Sequence, residues 1–270
     1  MSKQRTVLVT GSSQGGIGAA LAKEYHSRGL RVFATSRRLE TMEELAALGI
    51  ETIALDVTDA DAVRKTRDEI SSRTGGKLDI LVNNAGQIYE AAVADTDMSR
   101  ARALFEVNVF APMVMVQEFI PLLISSGKGC VVNIGSSAGL LPLPLQAAYN
   151  MSKAAIHSFG YTLAVELAPF NVNVVNVSVI PVLEAEQLPR HIQLQKDAPT
   201  AESYARMVVS ETIKSKPKMW LWGGHLAGLT WFLLTFVPRF VIESIVIDMF
   251  GFKKFTARVR KERASGKYVS

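Results

Sequence analysis

Residues 6–18 read TVLVTGSSQGGIG, a short apolar run that ends in a glycine-rich loop, and the helical pattern AALAKEYHSRG follows. The run Thr6–Thr10 has the length of a buried strand. A strand, a glycine loop and a helix in this order predict a dinucleotide site, because glycines let the backbone approach a pyrophosphate at the helix N-terminus. The alternative is an ordinary glycine turn. We expect the cofactor to contact these loop residues: Gly11, Ser13, Gly16, Ile17 and Gly18.

The next apolar run, Arg31–Thr35, bears on the choice between two nicotinamide cofactors. An acidic residue after this strand would bind the ribose 2′-hydroxyl of NAD, but Ser36 and Arg37 follow instead. An arginine gives a 2′-phosphate charge-assisted hydrogen bonds. The sequence therefore predicts NADP(H), with a solvated helix start as the alternative interpretation.

Strands and helices continue to alternate along the chain. Further strands are predicted at Glu51–Leu55, Asp79–Val82, Cys130–Ile134, Asn171–Val179 and Met219–Trp222. Helices are predicted at residues 40–48, 59–73, 98–126, 149–168 and 201–215. This alternation indicates an α/β fold, a doubly wound parallel sheet of Rossmann type. We expect one domain at 1–222, with a substrate lid at about 183–200, and an apolar helical extension with a basic tail at 223–270.

Composition narrows the setting and the partners. The chain has 270 residues and one cysteine, Cys130, which allows no internal disulfide and fits a reducing, cytoplasmic compartment. The net charge is +5, but seven basic residues against one acid lie between Lys253 and Lys267, so the excess is a property of the tail. We therefore expect no nucleic-acid partner. The four histidines have no ligand spacing, and we expect no metal site.

The stretch SSAGLLPLPLQAAYNMSK, residues 136–153, carries the predicted chemistry. Tyr149 and Lys153 are four residues apart, which places both on one face of the predicted helix. A phenol has a pKa of about 10, and an ammonium beside it lowers that pKa by favouring the phenolate. A hydroxyl from the strand end would hold a carbonyl oxygen against the phenol, and we prefer Ser136 over the alternative, Ser137. Such a site moves a proton on or off an alcohol/carbonyl pair.

Together these motifs carry a resemblance over roughly residues 5–180. The matching residues are the Thr10–Gly18 loop, Asp56, the Asn83-Asn84-Ala85-Gly86 stretch, Asn108, Ser136, Tyr149 and Lys153. With them the chain resembles the short-chain dehydrogenase/reductase family, whose fold is a Rossmann-type doubly wound sheet. The resemblance implies an NADP-dependent oxidoreductase in which Tyr149 donates the proton. Lys153 would bind the nicotinamide ribose and lower the tyrosine pKa.

The resemblance also implies roles for residues elsewhere. Ser136 would hold the substrate oxygen, Asn108 would anchor a proton-relay water, and Asp56 would contact the adenine. Further cofactor contacts are implied for Val57, Asn84, Ala85, Gly86 and Val182. Asn83 and Asn84 have an alternative role, in which they cap the strand end and tie the sheet together by hydrogen bonds.

The sequence departs from the family pattern at two places. The glycine loop is one residue longer than the commonest spacing. After the strand at 171–179 stands Ile180-Pro181-Val182-Leu183-Glu184, where the family has Pro-Gly or Gly-Gly and then a threonine. The missing glycine and the carboxylate near the expected phosphates motivate a second class of function. In that class the chain is a pathway enzyme without hydride transfer, or a nucleotide-binding protein, on the same scaffold.

Residues 219–237, MWLWGGHLAGLTWFLLTFV, form the most apolar part of the C-terminal third. Gly223-Gly224 and Pro238 leave residues 225–237 for one helix. Its length of roughly 20 Å is short of the ~30 Å hydrocarbon core of a membrane. The aromatic residues and the basic tail therefore predict peripheral attachment to a membrane and not a span. A buried core helix or a dimer contact is the alternative.

This ending, together with GGIG and FATSRR, is similar to one branch of the family. The branch contains fungal NADPH-dependent 1-acyldihydroxyacetone-phosphate reductases and related ketone reductases of secondary metabolism. The similarity implies reduction of a ketone on a small lipophilic substrate at the endoplasmic reticulum or lipid-droplet surface. Family members often form homo-oligomers through two long helices, here about 101–126 and 149–168, unless the apolar end blocks that arrangement.

Overall fold

A computed structural model describes residues 4–179, 200–223 and 227–264 of the chain. The strands are β1 (Thr6–Thr10), β2 (Arg31–Ser36), β3 (Glu51–Ala54), β4 (Ile80–Asn83), β5 (Cys130–Ile134), β6 (Asn173–Val179) and β7 (Trp220–Gly223). In the described chain they form one seven-stranded sheet, in the order β3-β2-β1-β4-β5-β6-β7, and every pair is parallel. From β1 to β3 the strands are added towards one edge of the sheet, and from β4 to β7 they are added towards the other edge. The topological switch point therefore lies at the carboxyl ends of β1 and β4.

Helices cover both faces of the sheet, as the alternating pattern predicts. They are α1 (Ile17–Ser27), α2 (Glu43–Ala47), α3 (Ala60–Thr74), α4 (Met98–Phe105), α5 (Ala111–Ser126), α6 (Ala147–Leu167) and α7 (Ala201–Thr212). Val7 and Val9 pack in the core with α1 and α7, whereas Leu8 packs in the opposite core with α3, α5 and α6. Strands that are buried on both faces are typical of a doubly wound parallel sheet. The predicted fold class is confirmed.

The helix predicted at 98–126 has an irregular centre. A π-helical turn, Glu106–Phe110, separates α4 from α5 and contains Asn108. By length and composition alone, the stretch Met98–Ser126 is the one in the described chain that could cross a membrane. Half of its apolar window is buried, however, and Phe119 and Leu123 lie in the core against the sheet. We therefore interpret it as a core helix.

The C-terminal extension is helical beyond the last strand. It contains α8 (Ala227–Phe236), α9 (Arg239–Met249) and α10 (Phe252–Ala264). Strand β7 is the edge of the sheet and includes Gly223, one residue past the predicted strand end. In α9, Ile242 and Val246 are one turn apart and buried, whereas most of its other apolar side chains are exposed. The extension thus leaves much apolar surface open.

Candidate active site

A cleft of about 650 Å³ lies at the carboxyl ends of the central strands. Ten residues predicted to contact the cofactor line it: Gly11, Ser13, Ile17, Ser36, Arg37, Asp56, Val57, Asn84, Ala85 and Gly86. The structure adds Leu55, Thr58, Gln87, Ala103, Glu106 and Val107 to this lining. The loops after β1, β2, β3 and β4 supply most of these residues, which is expected where a parallel sheet binds a ligand at its switch point.

At two positions of the glycine loop, neighbouring atoms lie so close to the backbone that only glycine fits. Gly11 has a φ of +69°, and a Cβ there would lie 2.7 Å from the Cα of Ala85. A Cβ on Gly18 would overlap the carbonyl of Gly11 and lie 2.5 Å from the side-chain nitrogen of Asn84. Gly18 therefore brings α1 against the loop, although it does not itself line the cleft. Gly16, which begins α1 without a side-chain cap, borders a groove between α1 and α7 instead.

Asn84 holds the glycine loop to the end of the neighbouring strand. Its Nδ2 donates to the carbonyls of Thr10 at 2.8 Å and Gly11 at 3.0 Å. The hydroxyl of Thr10 accepts the backbone N–H groups of Asn84 and Ala85, each at 3.0 Å, and donates to Val82. The structural role considered for Asn84 is therefore present, in addition to its place in the cleft wall.

One corner of the cleft is suited to an anion. Ser36 Oγ lies 2.7 Å from Thr41 Oγ1, which lies 3.2 Å from Ser13 Oγ. The carbonyl of Thr41 also accepts the backbone N–H of Gln14 at 2.8 Å, so this turn is joined to the glycine loop. Arg37 beside these hydroxyls is exposed and makes no ion pair with a described carboxylate. A guanidinium with several hydroxyls fits a ribose 2′-phosphate.

Asp56 lines the same cleft as Arg37. Its Oδ1 accepts the backbone N–H of Thr58 at 2.9 Å and the hydroxyl of Thr58 at 2.7 Å. These hydrogen bonds lower the pKa of Asp56 below its ordinary value, and the charge of Arg37 acts in the same direction. The carboxylate is therefore ionised and fixed in orientation, as an acceptor for the amino or hydroxyl groups of a nucleoside would be.

The predicted catalytic residues converge where β5 ends and α6 begins. Ser136, Tyr149 and Lys153 are all buried there. Lys153 Nζ donates to the carbonyl of Ile134 at 3.0 Å and lies 5.6 Å from the centre of the Tyr149 ring. Ser136 Oγ accepts the backbone N–H of Ala138 at 3.1 Å, which leaves its proton for an acceptor in the site. Ser137, the alternative hydroxyl, is also buried.

Glycines bring this group to the cleft. A Cβ on Gly86 would lie 3.7 Å from Lys153 Nζ and 3.4 Å from Asn108 Oδ1. A Cβ on Gly139 would lie 2.6 Å from the backbone of Lys153, so only a glycine lets α6 approach so closely. The ammonium of Lys153 therefore lies beside a residue of the cofactor cleft, as the predicted double role of Lys153 requires.

The side-chain amide of Asn108 links the π-helical turn to Gln87 and to α6. Its Oδ1 accepts the N–H of Gln87 at 2.8 Å, and its Nδ2 donates to the carbonyl of Gln87 at 2.9 Å and to Ser152 Oγ at 3.0 Å. Ser152 in turn donates to the carbonyl of Tyr149 at 2.8 Å. A relay water at Asn108 stays a prediction, since these bonds use both Nδ2 hydrogens and leave one acceptor site on Oδ1.

Some predicted features fall beyond the structure. Val182, the departure Ile180–Glu184 and the lid at about 183–200 lie outside the described residues. Conversely, Thr41 and Gln87 were missed by the sequence reasoning. Thr41 follows no strand directly and lies in no motif. Gln87 comes directly after the Asn83–Gly86 stretch, but its pairing with Asn108 depends on tertiary packing.

Comparisons with known proteins identify the family. A family model described as short chain dehydrogenase matches residues 5–186. The short-chain dehydrogenase virD of Hypocrea virens is 38% identical, over 93% of this chain and 93% of its own length. An NADPH-dependent 1-acyldihydroxyacetone phosphate reductase of Schizosaccharomyces pombe is 41% identical over 66% of this chain and 60% of its own length.

A solved structure gives the same result. A metagenomic short-chain oxidoreductase crystallised in complex with NADP is 29% identical and superposes with a TM-score of 0.68, covering 80% of this chain and 95% of that one. The parallel sheet, the cleft at its switch point and the match over residues 5–186 lead to one assignment. The chain belongs to the short chain dehydrogenase family of oxidoreductases.

Proposed function

We propose that this oxidoreductase uses NADPH to reduce a ketone on a lipophilic substrate. The observation that carries the proposal is the position of Lys153 Nζ, which lies 5.6 Å from the Tyr149 ring and beside Gly86 in the cofactor cleft. This arrangement joins a proton donor to a nucleotide site. The alternative without hydride transfer was motivated by residues 180–184, which lie outside the described chain, and no described residue favours it.

The residues of the cleft fit NADP(H). Gly11 and Gly18 let the glycine loop pack closely against Ala85 and Asn84 at the cleft, and Arg37 with the hydroxyls of Ser13, Ser36 and Thr41 fits the 2′-phosphate. The relative from Schizosaccharomyces pombe is named as NADPH-dependent, and the metagenomic structure holds NADP. The chain is accordingly an NADP-dependent enzyme.

NADPH, when bound, supplies the hydride for reduction of a carbonyl carbon. The residues of the chain manage the oxygen and its proton. Tyr149 donates its phenolic proton to the oxygen as negative charge develops there, and Ser136 donates a hydrogen bond to the same oxygen. The ammonium of Lys153 stabilises the phenolate that remains. The carbonyl of Ile134, 3.0 Å from Lys153 Nζ, holds that ammonium in place.

The surroundings of Tyr149 are apolar, which supports an apolar substrate. A small cluster packs around its ring and contains Tyr89, Ala101, Leu104 and Ala138, with Ile88, Leu143 and Ala148 partly buried beside it. The loop between Ser136 and Tyr149 contributes LLPLPL, and Leu145 in this loop is half exposed. Such apolar surroundings favour a hydrocarbon chain over a highly polar substrate.

The function is tested with the purified full chain, NADPH and a panel of ketones, followed at 340 nm. The panel includes 1-acyldihydroxyacetone phosphate, which the named relative suggests, and apolar ketones without phosphate. We expect NADPH oxidation with at least one ketone and none in its absence. Binding of NADPH without oxidation by any ketone would instead support the non-redox class.

The Tyr149→Phe variant tests the proton donor. We expect turnover to fall at least a hundredfold, since general acid catalysis typically contributes about 10²–10⁴ in rate. NADPH affinity should change little, because the lost hydroxyl acts on the substrate oxygen. Turnover by this variant at the wild-type rate would show that another group supplies the proton.

We further propose peripheral attachment to a membrane, at the endoplasmic reticulum or lipid-droplet surface, and assembly of copies through the long helices. Exposed aromatic side chains on α8 and α9 support the first: Trp231, Phe232, Phe236 and Phe240. Exposed apolar side chains on α6 support the second: Met151, Tyr161 and Val165. Both surfaces expose more apolar side chains than a helix face in contact with water usually does.

A further inference from the structure

The face of the sheet under α6 contains buried polar atoms without hydrogen-bond partners among the described residues. They are both ring nitrogens of His157, Nδ2 of Asn176, Oγ of Ser178 and Nε1 of Trp220. Buried polar groups are almost always hydrogen-bonded, to protein or to ordered water. A group of such atoms in one layer of the molecule therefore calls for a ligand.

These side chains share one face of the fold. Asn176 and Ser178 are two residues apart on β6 and so point to the same side. Trp220 pairs with Asn176 in the sheet, and its ring lies edge-on to His157 with 5.0 Å between ring centres. His157 is four residues after Lys153 on α6, so the imidazole and the ammonium lie on the same helix face.

Two glycines make room for this polar layer. A Cβ on Gly160 of α6 would collide with the amide of Asn176. A Cβ on Gly135, just after β5, would collide with the His157 ring, whose Cδ2 would lie 2.7 Å away. The Asn176 amide is also fixed, because its Oδ1 accepts Nδ2 of Asn133 at 3.2 Å. The polar side chains thus occupy places that the backbone leaves open for them.

The charges of the layer favour a neutral ligand over a cation. Burial lowers the pKa of His157 to about 4, and the charge of Lys153 adds to this effect, so the imidazole is neutral near pH 7. On the described β5, β6 and β7 the one titratable side chain is Cys130, whose pKa burial raises to about 12. Lys153, Tyr149 and Tyr161 are the titratable groups of α6 nearest to it. A neutral imidazole has one donor and one acceptor, which suits water.

We infer that ordered water lies between α6 and β6 and links His157 to the ammonium of Lys153, so that His157 is a positioning residue for this lysine. The water accepts an N–H of the ammonium and donates to the unprotonated nitrogen of His157. The ammonium is then held from this side as well as by the carbonyl of Ile134. This inference rests on the proposed function only in that Lys153 serves the reductase site.

A crystal structure of the wild-type protein with NADP⁺, at a resolution that shows waters, tests the ligand directly. We expect a water within about 2.7–3.2 Å of a ring nitrogen of His157. Direct protein partners for both nitrogens, or no density beside either, would overturn the inference. This measurement needs no turnover, so it decides the matter even if no ketone proves to be a substrate.

Variants test the positioning role. His157→Leu removes the water's partner, whereas His157→Gln keeps a donor and an acceptor, and Leu163→Ala is a matched control that disturbs the core of α6 elsewhere. The readout is the pH profile of kcat/KM for alcohol oxidation, in which the tyrosine must be deprotonated. We expect the apparent pKa of the acidic limb to rise by about one unit in His157→Leu, since an opposite charge close by typically accounts for 1–3 units.

The apparent pKa of the acidic limb should be unchanged in His157→Gln and in Leu163→Ala. A lower rate with an unshifted limb in His157→Leu would mean that the residue serves packing alone. A profile identical to the wild type in all three variants would also overturn the positioning role.

Discussion

At the scale of single residues, cofactor choice depends on Arg37. Its guanidinium is exposed and makes no ion pair with a described carboxylate, so it is available to a phosphate. A hydrogen bond to a charged group contributes about 1.5–3 kcal/mol, or roughly ten- to a hundredfold in affinity. We expect Arg37→Ala to weaken NADPH binding by this factor and to leave NADH binding nearly unchanged, as measured by fluorescence titration.

Thr41→Val provides a second arm of the same experiment. It removes the hydroxyl that joins Ser36 to Ser13 but keeps the shape of the side chain. A neutral hydrogen bond contributes about 0.5–1.5 kcal/mol, so a two- to tenfold loss for NADPH alone is expected. If either variant weakened both cofactors equally, the anion corner would not be in contact with the 2′-phosphate.

His157 makes the folding stability of the protein depend on pH in the acidic range. Its pKa is about 4 in the folded protein and 6.5 in the unfolded chain, so the unfolded chain binds more protons between these values. Stability is therefore lost as the pH falls through this range, by about 2 kcal/mol between pH 7 and pH 5. We expect His157→Gln to remove this part of the pH dependence, as measured by urea unfolding at both pH values. Equal pH dependence in the two proteins would mean that His157 is not a buried neutral imidazole.

The residue scale also shows where sequence reasoning ends. Ser36, Arg37 and Asp56 could be predicted because each follows a strand end, and parallel strands bring their carboxyl ends to one edge. Thr41 and His157 could not. The contact of Thr41 with Ser13 joins two separate loops, and the surroundings of His157 come from β5, β6 and β7. Such neighbours are set by tertiary packing, which leaves no local pattern.

At the scale of elements, close packing restricts which residues α6 can contain. Gly160 lies against the Asn176 amide with no space for a Cβ, so Gly160→Ala forces β6 and α6 apart. Alanine favours a helix over glycine by about 1 kcal/mol, but overpacking a core costs about 1–3 kcal/mol. We expect a net loss of stability in urea unfolding, of about 1 kcal/mol or more.

Gly228 provides the control for this prediction. It is also in a helix, α8, but it is exposed, and nothing lies within 4 Å of a Cβ placed there. Gly228→Ala should therefore leave stability unchanged or raise it. If Gly160→Ala behaved in the same way, the close approach of α6 to β6 would be wrong.

The π-helical turn shows how tertiary contacts alter a predicted helix. The sequence EVNVF at 106–110 is compatible with an ordinary helix, and an uninterrupted helix over 98–126 was expected. The amide of Asn108 instead pairs with the backbone of Gln87 and with Ser152. These partners lie 21 and 44 residues away in the chain, so the sequence around Asn108 does not disclose them.

At the scale of the whole molecule, the C-terminal extension follows a three-layer body in which helices cover both faces of the sheet. The apolar helix predicted at 225–237 corresponds to α8, whereas α9 and α10 lie in the rest of the predicted helical extension, for which the sequence reasoning gave no helix bounds. At 1.5 Å per residue, α8 is about 15 Å long, and α9 is similar, so neither reaches across a hydrocarbon core of about 30 Å. Both helices expose apolar side chains. The sequence of α8 contains no charged residue, whereas α9 also contains Glu243 and Asp248, which are exposed.

The proposed membrane surface is tested by charging its apolar face. The exposed rings of Trp231 and Phe232 are replaced in the double variant Trp231→Glu with Phe232→Glu. Flotation with anionic liposomes is then measured at low and high salt. We expect the wild type to float at low salt and less at high salt, because basic residues contribute about 1 kcal/mol each near an anionic surface and salt screens them. Arg260 and Lys261 on α10 are exposed and placed to do so. The double variant should stay in the supernatant.

The control is Leu48→Glu with Phe170→Glu, which adds the same charge at exposed apolar positions outside the extension. It should float like the wild type, because charge added away from the interface costs no insertion of a carboxylate into the apolar boundary. Flotation of the folded Trp231/Phe232 variant at wild-type level in both salts would show that α8 does not enter the lipid. If the wild type never floats, its oligomeric state decides between the remaining interpretations. Dissociation of a dimer by the same double variant would assign the apolar surface of α8 and α9 to contact between copies.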